Sequence, residues 1–516
     1  MAANTDSAKE AVDPASGLLD RPVHLDKAIE MVGFGKFHYY LLFICGSMYT
    51  AIAFSVTSVS FIIPSAQCDF QMNSTRKGLL NGIMMIGMLV GSLIWGYVAD
   101  SKGRRFTLII SMLMDGFFNL LSSVSQVYPV FLVCRLISGF GVSSTSILFS
   151  YLVEFLNLKY REKFLAWMEM FWTSGLILLP GVAWVVIPHT FQIKNDYFLF
   201  KSWNLFIIMC SLPSIILACL VMMLPESPKF LIAQGKHDET LDCLKFVYRW
   251  NNKKDTEFPV TSVIIPDFID KQNNNFFIGL FNSAIELFTS KFKNIAIITS
   301  IIHFCATTSY YMLILWFPEL MNRFRWYETL HSENQNSTTM CEIVSMFKIE
   351  PEVKDAKCDD HIDESVYMNI IIIGFACIPT SLIVPLFVNK LGLRFFTVFS
   401  FLGSGISAAW LYFITSSIEN LVLSSIFEAF SSIGISLLYC ITVELFPTEY
   451  RGMAASIGTM FGKVGALMGN ILIGVFIDVH CIVPIIVSCS FLIISALLVL
   501  VLPKTRKTNI IRDGVR

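Results

Sequence analysis

Charged residues are scarce in this sequence. Only 15% of its 516 residues are Asp, Glu, Lys or Arg, and 54% are hydrophobic. Soluble proteins carry about 25% charged residues, so a string of ordinary soluble domains is excluded and one large membrane unit is favoured. The formal net charge of −1 shows no excess of either sign. Because nucleic-acid-binding surfaces are strongly basic, we expect no nucleic-acid partner.

Sequence signatures of catalysis are missing as well. The chain has no phosphate-binding Gly-Lys-Ser/Thr loop, which excludes ATP hydrolysis as an energy source. Its thirteen cysteines include no Cys-x-x-Cys pair and have no histidine partners at zinc spacing. No spacing typical of a nucleophile triad is present. We therefore expect no enzyme activity, no cofactor and no bound metal.

The start of the chain lacks the apolar stretch of a secretory signal. Residues 1–36 are polar and are interrupted by Pro14 and Pro22, whereas a cleavable signal peptide needs a continuous apolar core. We expect residues 1–36 to form a cytosolic tail.

Long apolar runs are abundant. A helix needs about 20 apolar residues to cross a bilayer, and twelve runs of this kind occur. They predict membrane spans at 37–63, 79–99, 106–124, 128–153, 164–187, 203–224, 295–320, 366–388, 396–415, 418–442, 453–477 and 481–502. The sequence thus predicts an all-α integral membrane protein with twelve transmembrane helices.

The spacing of the runs predicts two pseudo-symmetric bundles of six helices, 37–224 and 295–502. We expect the polar stretch between them, 225–294, to be a cytosolic loop. Residues 321–365 form the only other sizeable loop, and residues 503–516 form a tail.

Basic residues in the short loops predict the orientation. The side that holds the N-terminal tail has nine Lys or Arg residues in its short loops and the other side has four, which makes the first side cytosolic. The nine are Lys102, Arg104, Arg105, Lys159, Arg161, Lys163, Lys390, Arg394 and Arg451; the four are Arg76, Lys77, Lys194 and Lys201. Both termini then face the cytosol.

The loop 321–365 has features of an extracellular or luminal segment. Asn336-Ser337-Thr338 is an N-glycosylation sequon. Cys341 and Cys358 are the only cysteines in this loop. In an oxidising compartment these two either form a disulfide or stay as free thiols.

The two bundles share charged motifs at equivalent places. DSKGRR at 100–105 follows span 2, and NKLGLR at 389–394 follows span 8. Seven residues separate Glu154 from Arg161 after span 4, and the same spacing separates Glu444 from Arg451 after span 10. Such a repeat is typical of transporters built from two homologous halves.

Longer motifs make a family resemblance specific. GYVADSKGRR at 96–105 resembles the signature loop of the major facilitator superfamily. RLISGFG at 135–141 and PESPKFL at 225–231 resemble motifs of its sugar and organic-ion transporter branch. Segments similar to the synaptic vesicle glycoprotein 2 group are IIPSA at 62–66, FSY at 149–151, MFW at 170–172, GKHDE at 235–239 and TVEL at 442–445.

The resemblance implies the major facilitator fold, with a site near the bilayer midplane formed by helices 1, 4, 5, 7, 10 and 11. Two departures mark the chain as a divergent member of the group. Its first span has Ile52 and Ser55 where that group carries acids, and its loop 321–365 is much shorter and lacks a repeat.

The motif GYVADSKGRR predicts a gate at the cytosolic mouth. We expect Gly96 to let span 2 approach another helix closely and Gly103 to permit a tight turn. By the resemblance, Asp100 faces the N-terminal end of span 11, where a helix dipole favours an acid. The expected gate residues, which would latch the two bundles together, are Gly96, Asp100, Gly103, Arg104, Arg105, Glu154, Arg161, Glu444 and Arg451. Alternatively, the basic residues only set the topology.

Ionisable residues inside the spans are candidates for function, because burying a charge in a bilayer is costly. Lys463 and Glu428 either neutralise each other or contact a substrate. His303 is either a proton-coupling group or a hydrogen-bonded structural residue. Glu169 is either an interfacial carboxylate or a site residue, and we expect a structural role for Asp115.

Tyrosine and tryptophan in the spans indicate the kind of solute. An aromatic cavity with few charges favours an amphipathic organic molecule, including a cation bound over ring faces. The candidate substrate-binding residues are Arg135, Trp172, His303, Tyr310, Tyr311, Glu428, Tyr439 and Lys463.

Together these features predict a monomeric secondary-active or facilitative transporter of a small organic solute, working by alternating access and with or without a coupled proton or ion. It would lie in the plasma membrane or an intracellular vesicle membrane. The alternative is a non-transporting membrane protein, similar to synaptic vesicle glycoproteins, that regulates vesicle traffic or acts as a receptor.

Overall fold

A computed structural model describes residues 23–189, 191–195, 198–252, 258–264, 285–289, 291–330, 340–343, 360, 362–446 and 448–503. The sequon at Asn336, residue Cys358, the side chain of Arg451 and most of both predicted tails lie outside the described part. The boundaries predicted for the two bundles, the central loop and the tails stay predictions.

The prediction of twelve membrane spans is confirmed, since twelve helices are long and apolar enough to cross a bilayer. Span 1 is formed by Lys36–Thr57 and Val59–Ser65, and span 4 by Tyr128–Val142 and Thr145–Glu154. The other spans are Ser74–Lys102, Arg104–Ser123, Leu158–Val186, Ser202–Val221, Lys293–Ile314, Glu364–Leu391, Leu393–Trp410 (extended by the 3-10 helix Leu411–Phe413), Ser417–Leu445, Thr448–Phe476 and Ile482–Val501. Spans 1–6 are called the first half below, and spans 7–12 the second half.

The predicted end of span 7 was wrong. The apolar run 295–320 suggested one helix, but the helix ends at Ile314 and a new one, Phe317–Leu330, begins after a two-residue turn. Pro318 explains this boundary, because proline cannot donate the backbone hydrogen bond of a helix interior but fits the first turn of a new helix.

Short elements cover both ends of the bundle. We call the side with Phe317–Leu330 the outer side and the side with Pro228–Ala233 and His237–Asn251 the inner side, following the orientation predicted from charge. On the outer side, Gln192–Asn195 and Phe198–Lys201 form an antiparallel hairpin. On the inner side are helices Leu25–Val32, Pro228–Ala233 and His237–Asn251, and Val23–His24 pairs in parallel with Val263–Ile264.

The two halves meet closely near the outer side. Span 2 crosses span 11 where Gly78 faces Gly474; a Cβ on Gly78 would lie 2.5 Å from the Asn470 carbonyl and 2.8 Å from the Gly474 Cα. Spans 5 and 8 also touch, since Gly374 lies against Ile177. Small residues let membrane helices approach in this way. Both crossings join the first half to the second.

The expectation for Gly96 was wrong. No heavy atom of the described residues lies within 4 Å of a Cβ built at this position, so Gly96 mediates no close helix approach within the described part of the chain. Elsewhere in span 2, Gly87 and Gly91 pack against the backbone of span 4 at Leu136 and Phe140.

Candidate functional site

A buried group of charges joins the two halves at the outer side. The Lys77 ammonium of span 2 donates to the Glu319 carboxylate at 2.6 Å. Arg323, one helical turn after Glu319, binds the same carboxylate at 3.0 Å and Asp478 at 2.9 Å. We call Lys77, Glu319, Arg323 and Asp478 the outer ion cluster. Arg323 also donates to the Ser74 hydroxyl at 3.2 Å, which adds a second contact to the first half.

Three of the four residues of the outer ion cluster are shielded from water. The side chains of Lys77 and Arg323 are each 3% exposed, and that of Glu319 is 4% exposed. Burial alone would raise the pKa of Glu319, but Lys77 and Arg323 outweigh it and lower this pKa to about 2. Removing one partner from such a pair leaves a buried, uncompensated charge and costs about 3–5 kcal/mol. The cluster therefore connects the two halves through buried ionic contacts at the outer side.

A second ionic bridge crosses the boundary at Lys201, just before span 6. Its ammonium contacts Asp69 of the first half at 2.7 Å and Asp360, just before span 8, at 2.9 Å. Burial alone would lower the pKa of Lys201, but the hydrogen bonds to both aspartates outweigh it and raise that pKa.

Neither alternative for Cys341, a disulfide with Cys358 or a free thiol, is correct. Cys341 forms a disulfide with Cys481, which lies immediately before span 12. The Cα atoms of the bonded pair are 5.4 Å apart, the separation usual for disulfides. Folding thus places Cys341 at the ends of spans 11 and 12, near Asp478 of the outer ion cluster in space. Cys68, near the outer end of span 1, is also disulfide-bonded.

On the inner side, the turn between spans 2 and 3 is held by a carboxylate whose role the sequence did not reveal. Gly103 has a φ of +107°, a conformation that favours glycine. Glu226, in PESPKFL, accepts hydrogen bonds from the backbone N–H groups of Arg104 and Arg105, both at 3.0 Å. An acid at this place satisfies N–H groups that a helix N-terminus leaves free.

Three of the predicted inner gate residues, Asp100, Arg104 and Glu154, lie close together, all in the first half. Arg104 contacts Asp100 at 3.0 Å and Glu154 at 3.4 Å. The Glu154 carboxylate also accepts a hydrogen bond from Ser227. Arg161 donates to the Leu156 carbonyl at 2.9 Å rather than to Arg104's partners. A latch between the halves stays a prediction.

The remaining predicted gate residues to be described are Arg105, Glu444 and Arg451. Arg105 donates to the Met222 carbonyl at the end of span 6, which is again a first-half contact. Glu444 lies at the inner end of span 10. Its proposed partner, Arg451, has no described side chain.

Asp115 is the centre of a buried polar network in the first half. Its carboxylate accepts hydrogen bonds from Ser55, Asn119, Ser138 and Ser214 of spans 1, 3, 4 and 6, at 2.7–2.8 Å. Four donors satisfy a buried carboxylate well. The network ties four helices together, which supports the structural role expected for Asp115.

Arg135 belongs to the same network. Its guanidinium donates to Asn119 at 2.9 Å and to Ser58 at 3.3 Å, and lies over the Phe131 ring at 5.4 Å. The side chain is 1% exposed. Because these contacts lie inside the first half, the structure does not place Arg135 with the other candidate substrate residues.

Glu428 faces a cavity between the two halves. One carboxylate oxygen accepts a hydrogen bond from Tyr310 at 3.0 Å, and the other has no partner among the described residues. The cavity has a volume of about 40 Å³. Its lining residues come from spans 1, 5, 7, 8 and 10 and from the start of the helix Phe317–Leu330: Thr57, Ser60, Phe61, Leu176, Leu179, Pro180, Ile314, Phe317, Pro318, Ile370, Ile373, Gly374 and Glu428.

Aromatic residues converge below this cavity, towards the inner side. The Trp172 ring of span 5 lies 5.1 Å from Tyr49 of span 1. Tyr49, Tyr311 and Tyr439 all lie close enough to the Glu169 carboxylate to interact with it electrostatically. We call Tyr49, Glu169, Trp172, Tyr310, Tyr311, Glu428 and Tyr439 the central cluster. The sequence predicts a site role for every member of the central cluster except Tyr49, because no motif in the sequence distinguishes this tyrosine.

Glu428 and Lys463 do not pair with each other. The Lys463 ammonium donates to the Met88 carbonyl of span 2 at 3.2 Å, whereas Glu428 binds Tyr310. Lys463 thus connects the two halves at the wall formed by spans 2 and 11. Whether either residue contacts a substrate stays a prediction.

His303 is fully buried in the second half. Thr442 donates its own proton to the Leu438 carbonyl at 2.8 Å, so the His303 Nε2–H donates to the Thr442 oxygen at 3.1 Å. The His303 ring also lies 5.0 Å from the Tyr439 ring. This geometry favours the hydrogen-bonded structural role over proton coupling.

Twelve spans in two halves, with a cluster of polar and aromatic residues at their boundary, define a membrane protein of the major facilitator class. The family model for the Major Facilitator Superfamily matches residues 299–514. The model described as Sugar (and other) transporter matches residues 33–323, more than half of the chain. The chain belongs to this transporter family.

Known relatives support the finer resemblance. Synaptic vesicle glycoprotein 2B of Mus musculus is 28% identical over 93% of this chain and 85% of its own length. Synaptic vesicle glycoprotein 2A of Rattus norvegicus is 33% identical over 56% of this chain and 42% of its own length. The resemblance to the synaptic vesicle glycoprotein 2 group is therefore confirmed.

Solved structures share the fold. The xylose transporter XylE from E. coli, in a partially occluded inward open conformation, matches with a TM-score of 0.63 over 91% of this chain and 98% of that one, at 13% identity. A D-xylose-proton symporter matches with the same TM-score over 92% of this chain and 99% of that one, at 14% identity. The major facilitator fold is thus confirmed.

Proposed function

We propose that the protein moves a small organic solute across a membrane by alternating access, as a facilitative or secondary-active transporter. The observation that carries this proposal is the outer ion cluster, which joins the two halves above a set of residues suited to binding a solute. A buried ionic contact between halves is what a gate requires, because it is stable when formed and can be hydrated when it opens.

The central cluster is the proposed solute site. It takes residues from spans 1 and 5 of the first half and from spans 7 and 10 of the second half. A solute held between them contacts both halves, so its binding changes their relative energies and can drive their rearrangement. Lys463 would move from Met88 when spans 2 and 11 separate.

The energy source is either the gradient of the solute or a coupled ion. One of the solved structures with this fold is of a D-xylose-proton symporter, and buried carboxylates such as Glu169 and Glu428 can carry a proton. We propose that the protein acts as a monomer with both termini in the cytosol, in the plasma membrane or a vesicle membrane.

Uptake into proteoliposomes tests the proposal. Purified protein is assayed against organic cations, organic anions and sugars, each with and without a pH gradient. We expect at least one solute to enter faster than into empty liposomes. Glu428→Ala and Lys463→Ala should abolish this uptake, while Glu239→Ala, on the exposed inner helix His237–Asn251, should not.

Two outcomes contradict parts of the proposal. Unaltered uptake in both the Glu428 and the Lys463 variants would show that the site is assigned to the wrong residues. No uptake of any solute would contradict transport itself and favour a membrane protein that regulates vesicle traffic or acts as a receptor.

A further inference from the structure

Two carboxylates lie at the boundary between the halves without a basic partner. Glu169 belongs to span 5 of the first half, and Glu428 belongs to span 10 of the second half. Within the described part of the chain, neither has a Lys, Arg or His side chain within ion-pair distance. The Tyr311 ring lies near both of them and connects the two positions. The boundary is therefore locally acidic.

Glu428 is poised to bind a further group. The side chain is 1% exposed, and Tyr310 satisfies only one of its oxygens. The second oxygen has no partner in the described structure and belongs to a residue that lines the boundary cavity. A buried carboxylate oxygen left in this state is costly, so a donor that enters the cavity would be bound strongly.

The surroundings of this oxygen are mostly apolar. The residues that line the cavity include Phe61, Leu179, Phe317 and Ile370. Among the described lining residues, only Thr57 and Ser60 carry a hydroxyl group. A sugar needs many hydrogen-bond partners, since each unpaired polar group is penalised on burial. One charge in an apolar pocket instead suits a solute with one polar group and an apolar body.

Aromatic rings extend this environment towards the inner side. Tyr49 and Trp172 pack against each other at 5.1 Å, beside the Glu169 carboxylate. The faces of tyrosine and tryptophan rings attract positive charge and also pack against apolar groups. Tyr439 is 37% exposed and so offers its ring to an incoming solute.

The basic residues nearby are engaged elsewhere. Lys463 donates to the Met88 carbonyl on the wall of spans 2 and 11. Arg135 is held in the network of Asn119 and Ser58 inside the first half. An anionic solute at Glu428 would find no basic side chain to pair with, and an unpaired anion is costly to bury.

We propose that the transported solute is an organic cation, with one amine or quaternary ammonium group and an apolar body. The positive group binds the free oxygen of Glu428 and, after the rearrangement, the Glu169 carboxylate. The apolar body packs against the rings of the central cluster. This inference rests on the proposed transport function and names its substrate class.

The size of the cavity agrees with one state of the proposed transport cycle. A volume of about 40 Å³ holds water, which needs roughly 10–15 Å³ of such space per molecule, but not an organic solute. With the outer side closed, the upper part of the site around Glu428 is collapsed. A cation would occupy it only when the halves separate at the outer ion cluster.

The test compares solutes that differ in charge and not in shape. Proteoliposomes are assayed for uptake of choline, tetraethylammonium and phenyltrimethylammonium, of 3,3-dimethylbutanol as the neutral isostere of choline, and of glucose and benzoate. We expect uptake of at least one of the cations, and at least tenfold weaker competition by the neutral isostere than by choline.

Variants assign the effect to the site. Glu428→Gln keeps the size of the side chain but removes its charge, and should lower kcat/KM for the cation at least tenfold. Glu428→Asp keeps the charge and should retain part of the activity. Trp172→Phe keeps a ring and should transport, whereas Trp172→Leu should raise KM. Glu239→Gln, an exposed control, should behave as the parent protein.

The outcomes separate this inference from the proposed function. Uptake of glucose or benzoate but of no cation overturns the cation assignment and leaves transport standing. Equal cation uptake by Glu428→Gln and by the parent protein also overturns the cation assignment. Size-exclusion chromatography must show in this case that both proteins are folded. No uptake of any solute contradicts the transport function itself.

Discussion

At the scale of single residues, Lys77 is the member of the outer ion cluster that belongs to the first half. Its ammonium lies 2.6 Å from Glu319, in a site shielded from water. Lys77→Met keeps the apolar stem but removes the ionic contact across the boundary, and leaves Glu319 bound to Arg323. The substitution therefore weakens the contact between the halves much more than it lowers the stability of the second half.

Lys77→Met should therefore open the outer side. In a chain with Ser60→Cys in the boundary cavity, we expect a membrane-impermeant thiol reagent to label the introduced thiol at least about tenfold faster in the Lys77→Met background, which corresponds to about 1.4 kcal/mol. Lys236→Met removes an exposed ion pair with Glu239 and should change nothing. Equal labelling in all backgrounds would contradict a gating role.

The ionised state of Glu319 should not change with pH in the physiological range. Its pKa falls from 4.5 to about 2 in the folded protein. A lowered carboxyl pKa adds stability that is complete above the unfolded value and is lost only as pH falls through the folded value. Labelling of the thiol introduced by Ser60→Cys, corrected for the ionisation of a free thiol, should therefore be the same at about pH 8 and about pH 5.5. A steep rise in corrected labelling towards the lower pH would show that Glu319 is not held in its ionised form.

Glu226 should contribute stability at the inner turn. Glu226→Ala removes the acceptor of the Arg104 and Arg105 N–H groups and should lower the free energy of unfolding by about 1–2 kcal/mol, measured as a lower thermal midpoint of the purified protein. Glu239→Ala, on an exposed helix, is the matched control. A thermal midpoint unchanged in Glu226→Ala would contradict the capping role.

Sequence reasoning works for residues whose partners are near in sequence or part of a repeat. The glycine turn at Gly103 and the acid at Glu154 followed from such patterns. Lys77 and Glu319 are separated by 242 residues, and Cys341 and Cys481 by 140. These pairs depend on how whole helices pack, and no local spacing in the sequence indicates them.

At the scale of elements, spans 2 and 11 form the contact on which outer closure depends. Gly78 and Gly474 let their backbones touch. Gly78→Val would place methyl groups against the Asn470 carbonyl and the Gly474 backbone. The helices must then separate, because packed interiors leave no room for added atoms.

We expect Gly78→Val to hold the outer side open and to lower uptake at least about tenfold, since a transporter fixed on one side cannot turn over. Gly96→Val tests the same substitution in the same helix at a place where no described residue lies within 4 Å of the added Cβ, and should transport normally. Loss of uptake in both variants would point to a general effect on span 2 rather than on the crossing.

Hydropathy predicts the spans well because each must be apolar over the bilayer thickness. It fails at the end of span 7, where Leu315, Trp316 and Phe317 continue the apolar run although the helix has ended. Burial explains this failure, since Trp316 and Phe317 are buried by the protein itself. Apolar composition alone does not distinguish a residue buried in protein from one within the bilayer.

At the scale of the whole molecule, the repeat in the sequence predicts two halves, and the family match confirms the fold that they form. The sequence does not indicate which side is closed or which residues meet at the boundary. Both depend on the relative position of the halves, which a rigid-body movement changes without altering any local pattern. The hydrogen bond from Lys463 of span 11 to the Met88 carbonyl of span 2 is of this kind.

Alternating access requires the outer and inner sides to move in opposite directions, and distances between the halves test this most directly. Spin labels at Ile193 and Ile418 report on the outer side, and labels at Phe106 and Phe395 on the inner side; all four residues are exposed. On Lys77→Met, the outer distance should lengthen while the inner distance shortens, measured by pulsed electron resonance. Distances that stay constant, or that lengthen on both sides together, would contradict alternating access about the outer ion cluster.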